Sequence, residues 1–150
     1  MSRTIGYRSI LVPVADNVVT DTALDVACRL ATEHGASITA LAVVEVPPVL
    51  PLGAHMLGEE ADAKLLLRRA ESVGESYGIR MRGTVVRGRD AGSAIAAEAT
   101  SRDVELVVIG AARSRQGPFG STVETVLKRS PCRVLVIAQP HAAAAVRAAA

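Results

Sequence analysis

A single doubly wound α/β domain, a parallel sheet with helices on both faces, is the fold this sequence predicts. Three observations carry it: β-like and helix-like runs alternate, most strand runs are apolar throughout, and 49% of the 150 residues are hydrophobic while only 2% are aromatic. Continuous rather than alternating apolarity marks strands covered on both faces, as in a parallel sheet between helices. With no Trp, two Tyr and one Phe, the core falls to Val, Ile, Leu and Ala, small side chains that let helices lie close to a sheet. A chain of this length buries roughly 68–70% of its unfolded surface, enough for one core without disulfide or metal.

The first strand is Ile10-Leu11-Val12-Pro13-Val14. Leu24, Ala27, Cys28 and Ala31 then recur at helical spacing, and Gly35 stops that helix. The second strand spans residues 38–46. The proline-rich connection from Pro47 to Gly53 after it is long enough to move or to cover a cleft. Leu66, Ala70, Val73 and Tyr77 give the second helix its apolar stripe, ended by Gly78. In the third strand, over residues 79–86, Ile79, Met81 and Val85 share one face and Arg80, Arg82 and Thr84 the other, the pattern of a charged sheet edge. Asp90 caps a third helix carrying Ala94, Ile95 and Ala99. The fourth strand covers residues 106–109. A fourth helix opens at Gly120, with capping-box spacing between Ser121 and Glu124, with Val123, Val126 and Leu127 facing inward and Pro131 as its stop. Residues 134–137 form the fifth strand. The order β-α-β-α-β-α-β-α-β makes residues 1–139 one domain with right-handed crossovers. Residues 140–150 are an Ala-rich tail with no function assigned.

Composition narrows the class further. No apolar run reaches the ~18 residues of a membrane span, and the start of the chain has no signal-peptide core, so a soluble, cytoplasmic protein is expected. A net charge of +2 and three scattered aromatics give neither a basic face nor a stacking platform, which argues against a nucleic-acid partner. Cys28 and Cys132 lack a C-x-x-C partner and read as small buried thiols in a reducing compartment. His34, His55 and His141 are isolated, so no metal site is expected.

In open parallel sheets ligands bind at the carboxyl ends of the strands, where the strand order reverses. There the sequence places Ala15-Asp16-Asn17 and the glycine-bearing segment from Gly110 to Thr122, which runs into a helix N-terminus. Free N–H groups and the helix dipole favour an anion there, by typically 0.3–1 kcal/mol at exposed sites, and Arg113 or Arg115 could add a charge-assisted hydrogen bond. Each residue also has an ordinary explanation: Gly110 ends a strand, Gly120 permits a turn, Ser121 caps a helix. The segment is neither a Walker loop nor a G-x-G-x-x-G fingerprint.

Residues 10–14 with Ala23-Leu24, Leu106-Val107-Val108-Ile109-Gly110, Gly120-Ser121 through Val126-Leu127, and Pro131 through Ile137 together resemble the universal stress protein (UspA) family, in order and spacing, over essentially the whole chain. The resemblance implies a five-stranded parallel sheet of order 3-2-1-4-5, of the type shared with adenine-nucleotide α-hydrolases, commonly a homodimer, and in one branch an ATP or AMP site. That branch carries an Asp directly after the first strand and G-x2-G-x9-G-[S/T] after the fourth. Here Ala15 holds the Asp position, with Asp16 one residue later; Arg113 replaces the second glycine, and six residues rather than nine separate it from Gly120. A segment three residues shorter loses up to ~10 Å of extended reach. The binding residues implied are Pro13, Val14, Ala15, Asp16, Val43, Gly110, Arg113, Gly120, Ser121, Thr122 and Val123. Val43 corresponds to the strand residue whose backbone meets adenine. No ring lies near Val14 and Val43 for adenine to stack on, and Phe119, directly before Gly120, could plug the site.

The leading expectation is a non-enzymatic stress-response regulator, a homodimer paired through its last strand from Arg133 to Ala138, with an ATP- or AMP-like ligand in a modified pocket and no metal. The alternative is a protein-interaction module whose pocket is vestigial. A slow ATP hydrolase ranks last, because Asp16 is the only residue to nominate near the glycine segment.

Overall fold

The computed structural model describes residues 6–112 and 120–139. Five strands alternate with four helices: β1 (Ser9–Pro13), α1 (Val18–His34), β2 (Ser37–Glu45), α2 (Leu57–Ser76), β3 (Met81–Gly88), α3 (Ala91–Ser101), β4 (Leu106–Ala111), α4 (Gly120–Arg129) and β5 (Arg133–Ala138). All pairings are parallel, in the order β3-β2-β1-β4-β5. β1 is the centre of the sheet, with Ile10 registered against both Ile38 and Leu106.

The two-residue period of the strands divides the apolar runs between two layers. Ile10 and Val12, Ile38 and Ala40, and Leu106 and Val108 face α1 and α2, where Ala23, Leu24, Ala27, Cys28, Leu67 and Ala70 meet them. Leu11, Leu41, Val107 and Ile109 face α3 and α4, against Ile95, Ala99, Val123 and Val126. Doubly covered strands therefore read as continuous apolar runs. Cys28 is fully buried, and that burial, with the charge of Asp25, pushes its thiol up to about 11. Cys132 is only half-buried, and its thiol is also raised by burial.

The expected helix punctuation is present. Gly35 adopts φ 65°, and its N–H donates to the Ala31 carbonyl at the end of α1. Asp90 caps α3 by accepting from the Ser93 N–H at 2.9 Å. The Ser93 hydroxyl also donates to this carboxylate and is the main reason its pKa lies below the usual value.

Four expectations need correction. The buried line of α2 is Ala63, Leu67, Ala70 and Gly74, while Leu66, Val73 and Tyr77 are half-buried on its flank; Gly74 fits because a Cβ there would lie 3.0 Å from that of Met81. β3 starts at Met81, so Ile79 and Arg80 precede it, and both Val85 and Val86 are packed, on opposite faces. α4 starts at Gly120, which places Ser121 within the first turn, exposed, rather than at a capping-box N-cap. Leu127 is 46% exposed rather than inward. β3 is nonetheless an edge strand, as its arginines suggest. The Ala-rich tail lies outside the described residues, and among those residues no helix is long and apolar enough to cross a membrane.

The proline-rich connection is held in place from β3. Two turns are closed within it, by Leu50 N–H to Pro47 O at 3.0 Å and Ala54 N–H to Pro51 O at 2.9 Å. Arg89 Nη1 donates to the carbonyls of Val46, Pro47 and Leu50, and Arg87 to that of Gly53. Arg87 also pairs with Glu60 in the first turn of α2.

Candidate functional site

A cleft of about 610 Å³ opens at the carboxyl ends of β1, β2 and β4, where the chain order reverses between β1 and β4. Its volume lies within the range of small-molecule sites. Pro13, Val14 and Ala15 line it from the end of β1, Val43 from β2, Gly110 from β4, and Gly120, Ser121, Thr122 and Val123 from the start of α4. The structure thus brings together nine of the eleven residues singled out from sequence.

Asp16 is not among them: it is exposed and outside the lining. The turn after β1 closes without it. Ala15 N–H donates to Thr20 Oγ1 at 3.1 Å, and Asn17 Oδ1 accepts from both the N–H and the hydroxyl of Thr20, at 2.9 and 3.1 Å. Asn17 is therefore the N-cap of α1, Thr20 is buried within the turn, and Asp16 is left facing water. Asp16, one of the binding residues the resemblance implies, thus lies outside the cleft lining. Arg113, Arg115 and Phe119 lie outside the described residues.

The two glycines of the site differ in kind. A Cβ on Gly110 would lie 2.7 Å from Val19 Cγ1 and 2.9 Å from the Val19 carbonyl oxygen, so this position is small because α1 crosses it closely. Gly120 has φ 71° and no atom within 4 Å of a built Cβ. Its conformation favours glycine, and among the described residues nothing crowds it.

Sequence reasoning placed Asn17 at this end of the sheet without a role and missed Thr20, Leu41, Glu45, Glu59, Ala91, Ile95 and Ile109, all of which line the cleft. Asn17 and Thr20 had a legible signal, an Asx N-cap three residues before a hydroxyl. Leu41, Ile95 and Ile109 form an apolar wall that only the sheet register assembles. Glu45 ends β2 and accepts from Ala91 N–H at 3.1 Å, the first amide of α3. Glu59 arrives from the first turn of α2.

The helix ends give the cleft two unlike sides. At the β2 side, the N-terminus of α3 is already occupied by two carboxylates, its N-cap Asp90 and Glu45 from the end of β2. At the β4 side, the first turn of α4 has no acidic residue and its last turn carries Lys128 and Arg129. That first turn is where an anion is favoured. Among the described residues no group of three or more His, Cys, Asp or Glu is placed to hold a metal ion.

A model of the universal stress protein family matches residues 6–138. The chain belongs to the universal stress protein family. Universal stress protein MJ0531 of Methanocaldococcus jannaschii is 27% identical over 145 residues, covering 89% of this chain and 84% of that one. Among solved structures, universal stress protein UspA from Lactobacillus plantarum is 26% identical with a TM-score of 0.74, covering 89% of this chain and 99% of that chain. The universal stress protein from Archaeoglobus fulgidus, solved in complex with dAMP, shares the fold at 20% identity with a TM-score of 0.73, over 87% of this chain and 98% of its own. The strand order β3-β2-β1-β4-β5 with helices on both faces is that of the universal stress protein fold.

Proposed function

We propose that this chain is a non-enzymatic regulatory protein of the universal stress type that binds an adenine nucleotide, ATP- or AMP-like, in the cleft between β1 and β4. The observation that carries the reading is the convergence of the Val43 strand end, the Leu41–Ile95–Ile109 apolar wall and the acid-free first turn of α4 on one cavity of about 610 Å³. An aliphatic slot suits a purine face, and the helix start suits its phosphate. The relative from Archaeoglobus fulgidus solved with dAMP supports the choice of base. The reading includes a homodimer through β5, an edge strand whose Leu135 is 36% exposed, and a reducing cytoplasm in which both cysteines stay thiols.

Isothermal titration of the full chain with AMP, ADP, ATP and cyclic AMP, at protein concentrations above a micromolar dissociation constant, tests the binding. Heat with at least one of them is expected, and none with any of them removes it. Light scattering on the full chain and on a chain ending at Gln139 tests the dimer; two monomeric masses remove it.

A second reading, a protein-interaction module with a vestigial pocket, is favoured by two observations. Ala15 supplies no carboxylate to the cleft, and the size of Gly110 is accounted for by Val19 alone. It becomes the better account if titration shows no heat.

A further inference from the structure

We propose that Glu45 and Glu59 make the cleft selective for ligands whose nucleoside end is uncharged and rich in hydrogen-bond donors, excluding those that carry a second phosphate there. The inference rests on the reading of the cleft as a nucleotide site. Ala15 offers no side-chain acceptor, Asp16 points away from the lining, and both lone pairs of Asn17 Oδ1 are taken by the N–H and hydroxyl of Thr20. The carboxyl side chains in the described lining are those of Glu45 and Glu59, which enter from the end of β2 and from the first turn of α2.

Their states differ. Glu45 is fixed by the Ala91 N–H through Oε1, which leaves its second oxygen available. The Glu59 side chain makes no hydrogen bond or ion pair among the described residues, whereas its neighbour Glu60 is engaged by Arg87. The Arg87 pair with Glu60 and the Arg87 bond to the Gly53 carbonyl tie the start of α2 to β3, with Glu59 exposed at the rim of the cleft. An anion is favoured at α4, on the far side of β1 from β2. A ligand phosphate seated at α4 directs its nucleoside toward the two carboxylates, which accept from ribose hydroxyls or an exocyclic amine and repel a further phosphate. An acidic residue at the end of the second strand taking ribose hydroxyls is known physics in dinucleotide-binding sheets; here two carboxylates, from both faces of the sheet, share that end.

The test is calorimetric titration of the full chain and of Glu45→Gln, Glu59→Gln and the double variant with AMP, dAMP, inosine monophosphate and adenosine bisphosphate phosphorylated at both the 3′ and 5′ positions. The Gln substitutions keep volume and an acceptor while removing charge, and circular dichroism checks their fold. The unaltered chain is expected to bind AMP about tenfold more tightly than the bisphosphate, and the double variant to bring the two within about threefold. A loss with dAMP assigns the donor to the ribose, and a loss with inosine monophosphate assigns it to the exocyclic amine. If AMP binds but the bisphosphate binds equally well, or the double variant keeps the tenfold gap, the selectivity is overturned while nucleotide binding stands. If no adenine nucleotide binds the unaltered chain, both readings fall.

Discussion

Gly110 at the end of β4 and Val19 in the first turn of α1 are so close that a Cβ on the glycine would lie 2.7 Å from Val19 Cγ1, 2.9 Å from its carbonyl oxygen and 3.0 Å from its carbonyl carbon. A glycine that looks like part of a ligand motif is thus required by packing. Gly110→Ala should cost about 1–3 kcal/mol by overpacking, read as a lower midpoint in urea unfolding at unchanged slope. Adding Val19→Ala should recover only part of the loss, because the carbonyl atoms remain. A variant as stable as the parent would show that α1 shifts freely over β4.

Gly120 gives the opposite expectation. A methyl group there meets no atom of the described residues within 4 Å, and the left-handed conformation costs roughly 1–2 kcal/mol for a residue with a Cβ. Gly120→Ala should fold with a modest loss of stability while nucleotide affinity falls about tenfold, because the methyl occupies the anion's approach to the α4 amides. Unchanged affinity at unchanged fold would favour the interaction-module reading.

Arg89 supplies the donor that the proline-rich connection lacks. Arg89→Ala removes three hydrogen bonds to main-chain carbonyls at 2.6, 2.8 and 3.3 Å, on the exposed side of the molecule. A loss of about 1–2 kcal/mol is expected, and limited proteolysis should cut within residues 47–54 faster than in the parent. Equal cleavage rates would show that the turns hold without the clasp.

Cys28 sets an alkaline limit. Its thiol pKa is raised from the ordinary 9.0 to about 11 in the folded chain, so the native state keeps the proton more tightly than the unfolded state. The resulting stability is complete below about pH 9 and is lost as pH rises through about 11, by an amount on the order of 2–3 kcal/mol. Cys28→Ala should flatten that part of the stability profile, and a thiol reagent should label Cys132 before Cys28 in the native protein. Rapid labelling of Cys28 at neutral pH would contradict its burial.

Much of this molecule is written in local pattern. Runs such as 106–109, apolar without alternation, specify strands covered twice; Gly35 and Asp90 mark helix ends because their backbone and side-chain chemistry is local. The arginines of β3 announce an edge for the same reason. The binding residues came instead from family resemblance, and nine of those eleven fall in one cleft. Other readings failed where the outcome depends on neighbours. The stripe of α2 turned because Gly74 must sit beneath Met81, and Leu127 turned outward because α4 packs through Val123 and Val126.

What the sequence determined by itself is therefore the α/β alternation, the double coverage of most strands, the sheet edge at β3 and the helix ends at Gly35 and Asp90, all consequences of periods of two and 3.6 residues and of single-residue conformational preference. What only the tertiary structure decided is which chemistry faces the cleft. Asp16 lost its place to a turn closed by Asn17 and Thr20, Gly110 proved to be a packing residue against Val19, and Glu45 and Glu59 reached the same cavity from opposite faces of the sheet. Those juxtapositions join residues far apart in sequence, and a parallel sheet brings them together only after its crossovers have closed.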